Sequence, residues 1–264
     1  MPANPPEPDR TSAGQGALVC ARGLVADGAI RSDLSLSQLR ALLDEGRIVI
    51  LKGVFSREEI LAYRAALTRW HGETEEYPHG RSPNETPEQN YYRTDRGEFK
   101  SAIPHIFRQF GFNSPDHLPA YVGAPTRRIA NLLLRLQNDL AGTDFDLSIT
   151  GMRIKLLHYP AGGGFLTEHV HPREPQRIGL IASLSRVGED LASGGTAFKT
   201  PFGRVDTLAD HDIGDVILFR YDLPHAVDPV DPQRELDWNS EAGKWSFVLD
   251  LRETHGLSHV KQAS

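Results

Sequence analysis

YPAGGGFLTEHVHP, Tyr159 to Pro172, is the stretch on which the reading of this chain turns. A glycine-rich turn is followed by a short apolar run and then by two histidines separated by one valine. In an extended chain successive side chains point to opposite faces, so His169 and His171 project together and Val170 projects away. Two imidazoles on one face can reach a single point, and neutral imidazole is a common ligand of iron, copper and zinc. An H-x-H pair is also what two half-exposed strand histidines look like, so its meaning depends on its surroundings.

Those surroundings are β-rich. From residue 148 to 253 short apolar runs alternate with glycine turns: SITGMRIKLLHY, FLTEHVH, RIGLIASLS, TAFKT, GRVDTL, DVILFRY, HAVDPV and KWSFVLDLRE. This spacing predicts an antiparallel sandwich or barrel. The sixth run ends shortly before His225, and a returning strand would bring that residue beside the H-x-H pair. The chain holds 11 histidines. No role is assigned to His71, His79, His105, His117, His158, His211, His255 or His259.

Working outward, the first part reads as helical with one clear strand. Leu36, Leu39, Leu42 and Leu43 recur at helical spacing behind Ser35, and Gly46 stops that helix. RIVILKG (47–53) reads as a buried strand. Ser56 and Glu59 form a capping-box pattern opening a helix to about Trp70. Residues 71–125 are polar, aromatic and proline-punctuated, the pattern of a lid. Within it Tyr92 is a candidate substrate contact. A further helix is expected over roughly 125–141, with Pro125 at its start. The organisation expected is a disordered tail (1–16) and a single domain (17–264), with a helical N-terminal part (17–147) and a β core (148–253).

The chain has 264 residues, with 29 Lys+Arg against 35 Asp+Glu and a formal charge of −6. That balance argues against a nucleic-acid partner, which needs a basic surface. The single cysteine, Cys20, excludes an intrachain disulfide and any cysteine-built zinc or iron–sulfur cage. No apolar run is long enough to span a membrane, and residues 1–16 lack the apolar stretch of a signal peptide, so a cytoplasmic location is expected. The sequence says nothing of oligomeric state.

Four segments in order resemble the Fe(II)/2-oxoglutarate-dependent dioxygenases, in particular their prolyl-hydroxylase-like branch. These are YPAGGGFLTEHVHP (159–172), SGGTAFKT (193–200), DIGDVILFRYDLPHAVDPV (212–230) and AGKWSFVLDL (242–251). The resemblance spans roughly 148–253. It implies a mainly β (α+β) fold: a double-stranded β-helix, or jelly-roll, cupin-like core with the N-terminal helices packed outside. It implies Fe(II), 2-oxoglutarate as cosubstrate and O2, with His169 and His225 as the histidine ligands. Lys244, opening the last strand, corresponds to the cation that pairs with the distal carboxylate of 2-oxoglutarate. Arg234 competes for that role by its spacing from His225. Tyr159 is a hydrogen-bond donor candidate for the same carboxylate, and Arg153 an inward cation on the same strand face.

The family's metal-binding carboxylate is replaced by His171. Four readings stay open: His171 is a third ligand; it swings away in favour of water; Glu168 or Glu174 supplies a carboxylate; or the scaffold has lost catalysis. The expected activity is oxidation, in the first place hydroxylation, of a small molecule, with 2-oxoglutarate converted to succinate and CO2. Arg173 and Arg177 are candidates to clamp a substrate carboxylate. Two alternatives accompany it: a three-histidine iron dioxygenase that does not use 2-oxoglutarate, and a decayed oxygenase acting as a binding module. A zinc amidohydrolase fits poorly, because its H-x-H pair opens a longer α/β barrel.

Overall fold

A computed structural model describes residues 16–74, 90–94 (backbone only), 103–112, 116, 118–147 and 151–251. The strands are β1 (Leu18–Ala26), β2 (Ala29–Ser32), β3 (Ile48–Lys52), β4 (Asn90–Thr94), β5 (His105–Phe112), β6 (Met152–Pro160), β7 (Gly164–His169), β8 (Ile178–Ser183), β9 (Thr196–Thr200), β10 (Gly203–Asp206), β11 (Val216–Arg220), β12 (His225–Val230) and β13 (Gly243–Leu251). The helices are α1 (Leu36–Asp44), α2 (Arg57–Glu73) and α3 (Ala120–Ala141). All eight strands expected after residue 148 form.

The ladder runs β10-β9-β12-β7-β5-β6-β13-β8-β11-β3-β1-β2, with β4 on the side of β5. It folds into two facing walls, a small one (β10, β9, β12, β7) and a large one (β6, β13, β8, β11, β3, β1, β2). β5 bonds to β7 at one end and to β6 along the rest, so it closes one side. This is the double-stranded β-helix.

Strand alternation decides which side chains enter the barrel. On β3, Val49 and Leu51 pack in the cluster under the helices, whereas Ile48 and Ile50 belong to a second cluster inside the barrel. Ile48, Val49, Ile50 and Leu51 are all apolar because both faces of that wall are covered. On β13, Trp245, Phe247, Leu249 and Leu251 pack toward the helices. The alternate set, Lys244, Ser246, Val248 and Asp250, therefore faces inward. The helices cover the outside: α1 buries Leu39 and Leu43, α2 Ile60 and Leu67, and α3 Ile129, Leu133 and Leu136.

Caps explain where the helices start and stop. The Ser35 side chain accepts from the Gln38 backbone while Gln38 reaches back, a complete capping box. Ser56 accepts from the Glu59 backbone at 3.1 Å, but the Glu59 carboxylate pairs instead with Arg128 of α3. α3 ends at Gly142, whose left-handed φ of 67° suits glycine.

The N-terminal part departs from its expected helical character. LVCARGLVADGAIRS forms the hairpin β1–β2 around Asp27-Gly28, both at positive φ. An Asp-Gly pair between two extended runs is a strong hairpin signal, and it was outweighed by the leucine periodicity that follows. The 71–125 segment is not simply a lid, since β4 and β5 lie in it and β5 is integral to the barrel. Its residues 75–89, 95–102, 113–115 and 117 lie outside the described residues, as does the tail 1–15. α3 begins at Ala120 behind Pro119, so Pro125 sits inside it. Its fixed φ suits a helix, but an interior proline loses one backbone bond and crowds the carbonyl four residues before it.

Candidate metal centre

β7 and β12 are antiparallel neighbours, and their register sets His225 directly opposite His169. The two ring centroids lie 4.2 Å apart. His171 sits just past the end of β7, with its ring 4.9 Å from His169 and 5.3 Å from His225. One ring nitrogen from each of the three falls within 4.8 Å of the others. The structure thus brings together the three histidines singled out in the sequence.

Backbone carbonyls set two of the tautomers. Nδ1 of His169 bonds the Thr167 carbonyl at 3.1 Å, and Nδ1 of His225 bonds the Leu223 carbonyl at 2.9 Å. A carbonyl only accepts, so each Nδ1 carries the proton and each Nε2 keeps its lone pair for a metal. Burial, and secondarily the charge of His169, pushes His225 down to about 3, so it stays neutral as a ligand must. Phe219 and Phe198 flank its ring at 5.0 and 5.8 Å.

His171 stacks on Tyr221, with centroids 4.4 Å apart and planes 7° from parallel. The Tyr221 hydroxyl donates to Asp250 at 3.1 Å, and Asp250 also receives Arg153 at 3.1 Å and Lys155. Arg153, Lys155 and Tyr159 stand at alternate positions on the inward face of β6. Arg153 is engaged with Asp250.

A cavity of about 280 Å³ opens beside the histidines. Its wall includes His105, Phe107 and Gln109 of β5, Leu157 and Tyr159 of β6, Thr196 of β9, Val227 of β12, and Ser246, Val248 and Asp250 of β13. Lys244 opens the inward face of β13 and lies across the strand from the cavity residue Tyr159, without itself lining the cavity. It is only 4% exposed. No hydrogen bond or ion pair reaches its ammonium among the described residues. Burial lowers its pKa to about 8, against a weaker upward pull from Asp206. The Thr196 hydroxyl is likewise buried with no hydrogen-bond partner. Tyr159 is buried edge-on to Phe107, and burial raises its pKa.

The other residues singled out in the sequence lie elsewhere. Arg234 is half-exposed in the loop after β12, 3.9 Å from Asp231, and does not line the cavity. Arg173 pairs with Asp44 at 2.7 Å. Arg177 pairs with Glu174 at 2.9 Å and donates to the Ala141 carbonyl. Neither arginine lines the cavity. Glu168 points with Val170 to the outer face and pairs with Lys199 at 2.7 Å. Among the described residues no carboxylate joins the histidine cluster. Tyr92 pairs through its backbone with Gln109 on β5. Its side chain lies outside the described residues.

Sequence reasoning assigned no role to the polar cavity residues His105, Gln109, Thr196, Tyr221, Ser246 and Asp250. The first two carry a usable signal, the alternation in HIFRQFGF, which was hidden inside a polar, proline-punctuated segment. Asp250 could have been found by counting alternate positions from Lys244.

No protein-family model and no curated protein matches the chain. Solved structures do match its fold. A Pseudomonas putida prolyl-4-hydroxylase is similar with a TM-score of 0.53 at 14% identity, covering 81% of this chain and 97% of that one. A prolyl hydroxylase from Trichoplax adhaerens, in complex with a hypoxia inducible factor peptide fragment, gives 0.52 at 12%, covering 84% and 92%. The non-heme alpha-ketoglutarate-dependent epimerase SnoN from nogalamycin biosynthesis gives 0.52 at 14%, covering 81% of each chain. Identities this low establish a shared fold.

Proposed function

We propose that this chain, which has the double-stranded β-helix fold of the Fe(II)/2-oxoglutarate oxygenases, is itself such an oxygenase. It would oxidise a small molecule at a three-histidine iron centre. The observation that carries the reading is Lys244. A buried ammonium with no partner is costly, and a native fold retains one where an anion completes it. The distal carboxylate of 2-oxoglutarate is such an anion, and Thr196 and Tyr159 add hydroxyls around the same inner end of the barrel.

The residues present fit the implied groups. His169, His171 and His225 would hold Fe(II) through imidazole nitrogens, donors of the kind iron accepts. Lys244 would hold the cosubstrate's far carboxylate by a charge-assisted hydrogen bond, with the Thr196 and Tyr159 hydroxyls donating beside it. Iron with 2-oxoglutarate and O2 supplies the oxidising chemistry, giving succinate and CO2 as coproducts. The protein's contribution is to bind, to orient and to exclude water: Phe107, Leu157, Val227 and Val248 form the apolar wall that does the last. Hydroxylation is the favoured outcome. Of the structural neighbours, SnoN is an epimerase of nogalamycin biosynthesis, whereas the Trichoplax enzyme holds a peptide fragment. No described helix is long and apolar enough to cross a membrane.

The reading without 2-oxoglutarate would be favoured by an exposed Lys244, and its burial weighs against it. The test is anaerobic titration of the metal-free protein with Fe(II), then with 2-oxoglutarate, following the visible spectrum. A weak charge-transfer band on the second addition, lost in Lys244→Ala, supports the proposal. Iron binding without the band points to the three-histidine dioxygenase, and no iron binding to the binding module.

A further inference from the structure

We infer that Tyr221 is the positioning residue of the third histidine, holding the His171 ring toward the point shared by His169 and His225. This rests on the reading of His171 as a metal ligand.

The three imidazoles are not held alike. His169 and His225 are paired residues of a β ladder, and a backbone carbonyl orients each ring at Nδ1. His171 lies beyond the last residue of β7, in a stretch without strand pairing, and its side chain is half-buried. Strand register brings it near the centre. The nearly parallel stack on Tyr221 does aim it, because rotation about the Cβ–Cγ bond would drive the imidazole edge into the phenol face.

Tyr221 is suited to act as a fixed platform. It is 5% exposed. Its backbone N–H donates to the Arg177 carbonyl at 2.8 Å, and its hydroxyl to Asp250. Asp250 is in turn held on β13 by Arg153 and Lys155 of the neighbouring β6. The platform thus spans three strands of the large wall and reaches across to a ligand carried by the small one. Groups that orient a ligating histidine commonly change metal affinity by roughly 10–100-fold when removed.

The test uses the full-length protein loaded with Cu(II), with the coordinated imidazole nitrogens counted by pulsed electron paramagnetic resonance and affinity measured by calorimetry. The variants are His171→Ala, Tyr221→Leu and Tyr221→Phe, with Tyr221→Met as a second non-aromatic variant should Tyr221→Leu not fold. The expected result is three imidazoles in the native chain and in Tyr221→Phe, which keeps the flat ring. Two are expected in His171→Ala and in the non-aromatic Tyr221 variants, with affinity lowered roughly 10–100-fold. If His171→Ala loses an imidazole and folded Tyr221→Leu or Tyr221→Met keeps three at native affinity, the positioning role is overturned and the ligand reading stands. If His171→Ala keeps the native spectrum, His171 is not a ligand and both readings fall.

Discussion

Replacing Lys244 with methionine should make the ligand-free protein more stable while removing its response to 2-oxoglutarate. Methionine keeps an unbranched apolar stem in the buried slot and deletes the charge. The ammonium's pKa falls from 10.5 to about 8 because burial disfavours the charged form. At about 1.36 kcal/mol per pH unit this is a penalty of roughly 3 kcal/mol. The unfolded chain keeps the proton up to about 10.5 and the folded one releases it near 8, so between these values the unfolded state binds more protons. Stability then rises with pH. Below pH 8 the penalty is present in full, and above about 10.5 it is gone. At pH 7 the methionine variant should gain about 2–3 kcal/mol, or roughly 5–10 °C in melting temperature for a chain of this size. Thermal melts from pH 7 to 10.5 measure this, with and without 2-oxoglutarate in the presence of Mn(II). At a hundredfold excess over its dissociation constant the cosubstrate should stabilise the native protein by about 2.7 kcal/mol, and the variant far less. A variant that melts below the native protein at pH 7 would refute the argument. So would a gap that stays constant with pH, or an undiminished response to 2-oxoglutarate.

Other parts of the structure make further predictions. Gly179→Ala places a methyl against the Phe219 ring directly across the β8–β11 ladder. It should cost about 1–3 kcal/mol and weaken metal binding by displacing the ring that packs on His225, as calorimetry and melting would show. Asp190→Ala leaves the Arg64 guanidinium, bonded at 2.6 Å and buried, without its carboxylate. The expected loss is about 3–5 kcal/mol by urea denaturation, and a loss under 1 kcal/mol would count against a buried pair. His158 and His211 are held neutral by burial, well below their ordinary pKa. Their unfolded forms take up protons as pH falls through about 6.5 while the folded forms do not. With His225, which burial also holds neutral, stability should fall by roughly 4 kcal/mol per pH unit below pH 6, and His158→Gln should flatten that slope by about a third.

Much of the fold was legible before any coordinates. The eight strands after residue 148 are marked by short apolar runs between glycine turns, which are local properties. The Ser35 and Ser56 caps were visible for the same reason, since a cap needs only its own next three residues. Two signals were overridden by their context. The Asp27-Gly28 turn stood beside a conspicuous leucine repeat, and HIFRQFGF stood inside a proline-punctuated segment that resembled a lid. Proline favours the first turn of a helix, which places a start at Pro125 in the sequence, yet the apolar positions of the preceding turn extend the helix back to Ala120.

The candidate site divides along the same line. By itself the sequence determined that His169 and His171 project to one side of an extended segment, that Val170 and Glu168 point away from them, and that Lys244 opens the last apolar strand, because alternation along an extended chain is purely local. Only the tertiary structure decided that His225 faces His169, since cross-strand register depends on how β7 and β12 meet. It likewise separated Lys244 from Arg234: one is on the inward face of β13 and the other on a solvated loop, a difference of burial that spacing does not encode. The place of Tyr221 belongs to the structure entirely. Its ring meets His171 and its hydroxyl meets Asp250 only because two walls of the barrel face each other, and contacts between residues 29 and 50 positions apart leave no mark on the sequence around either one.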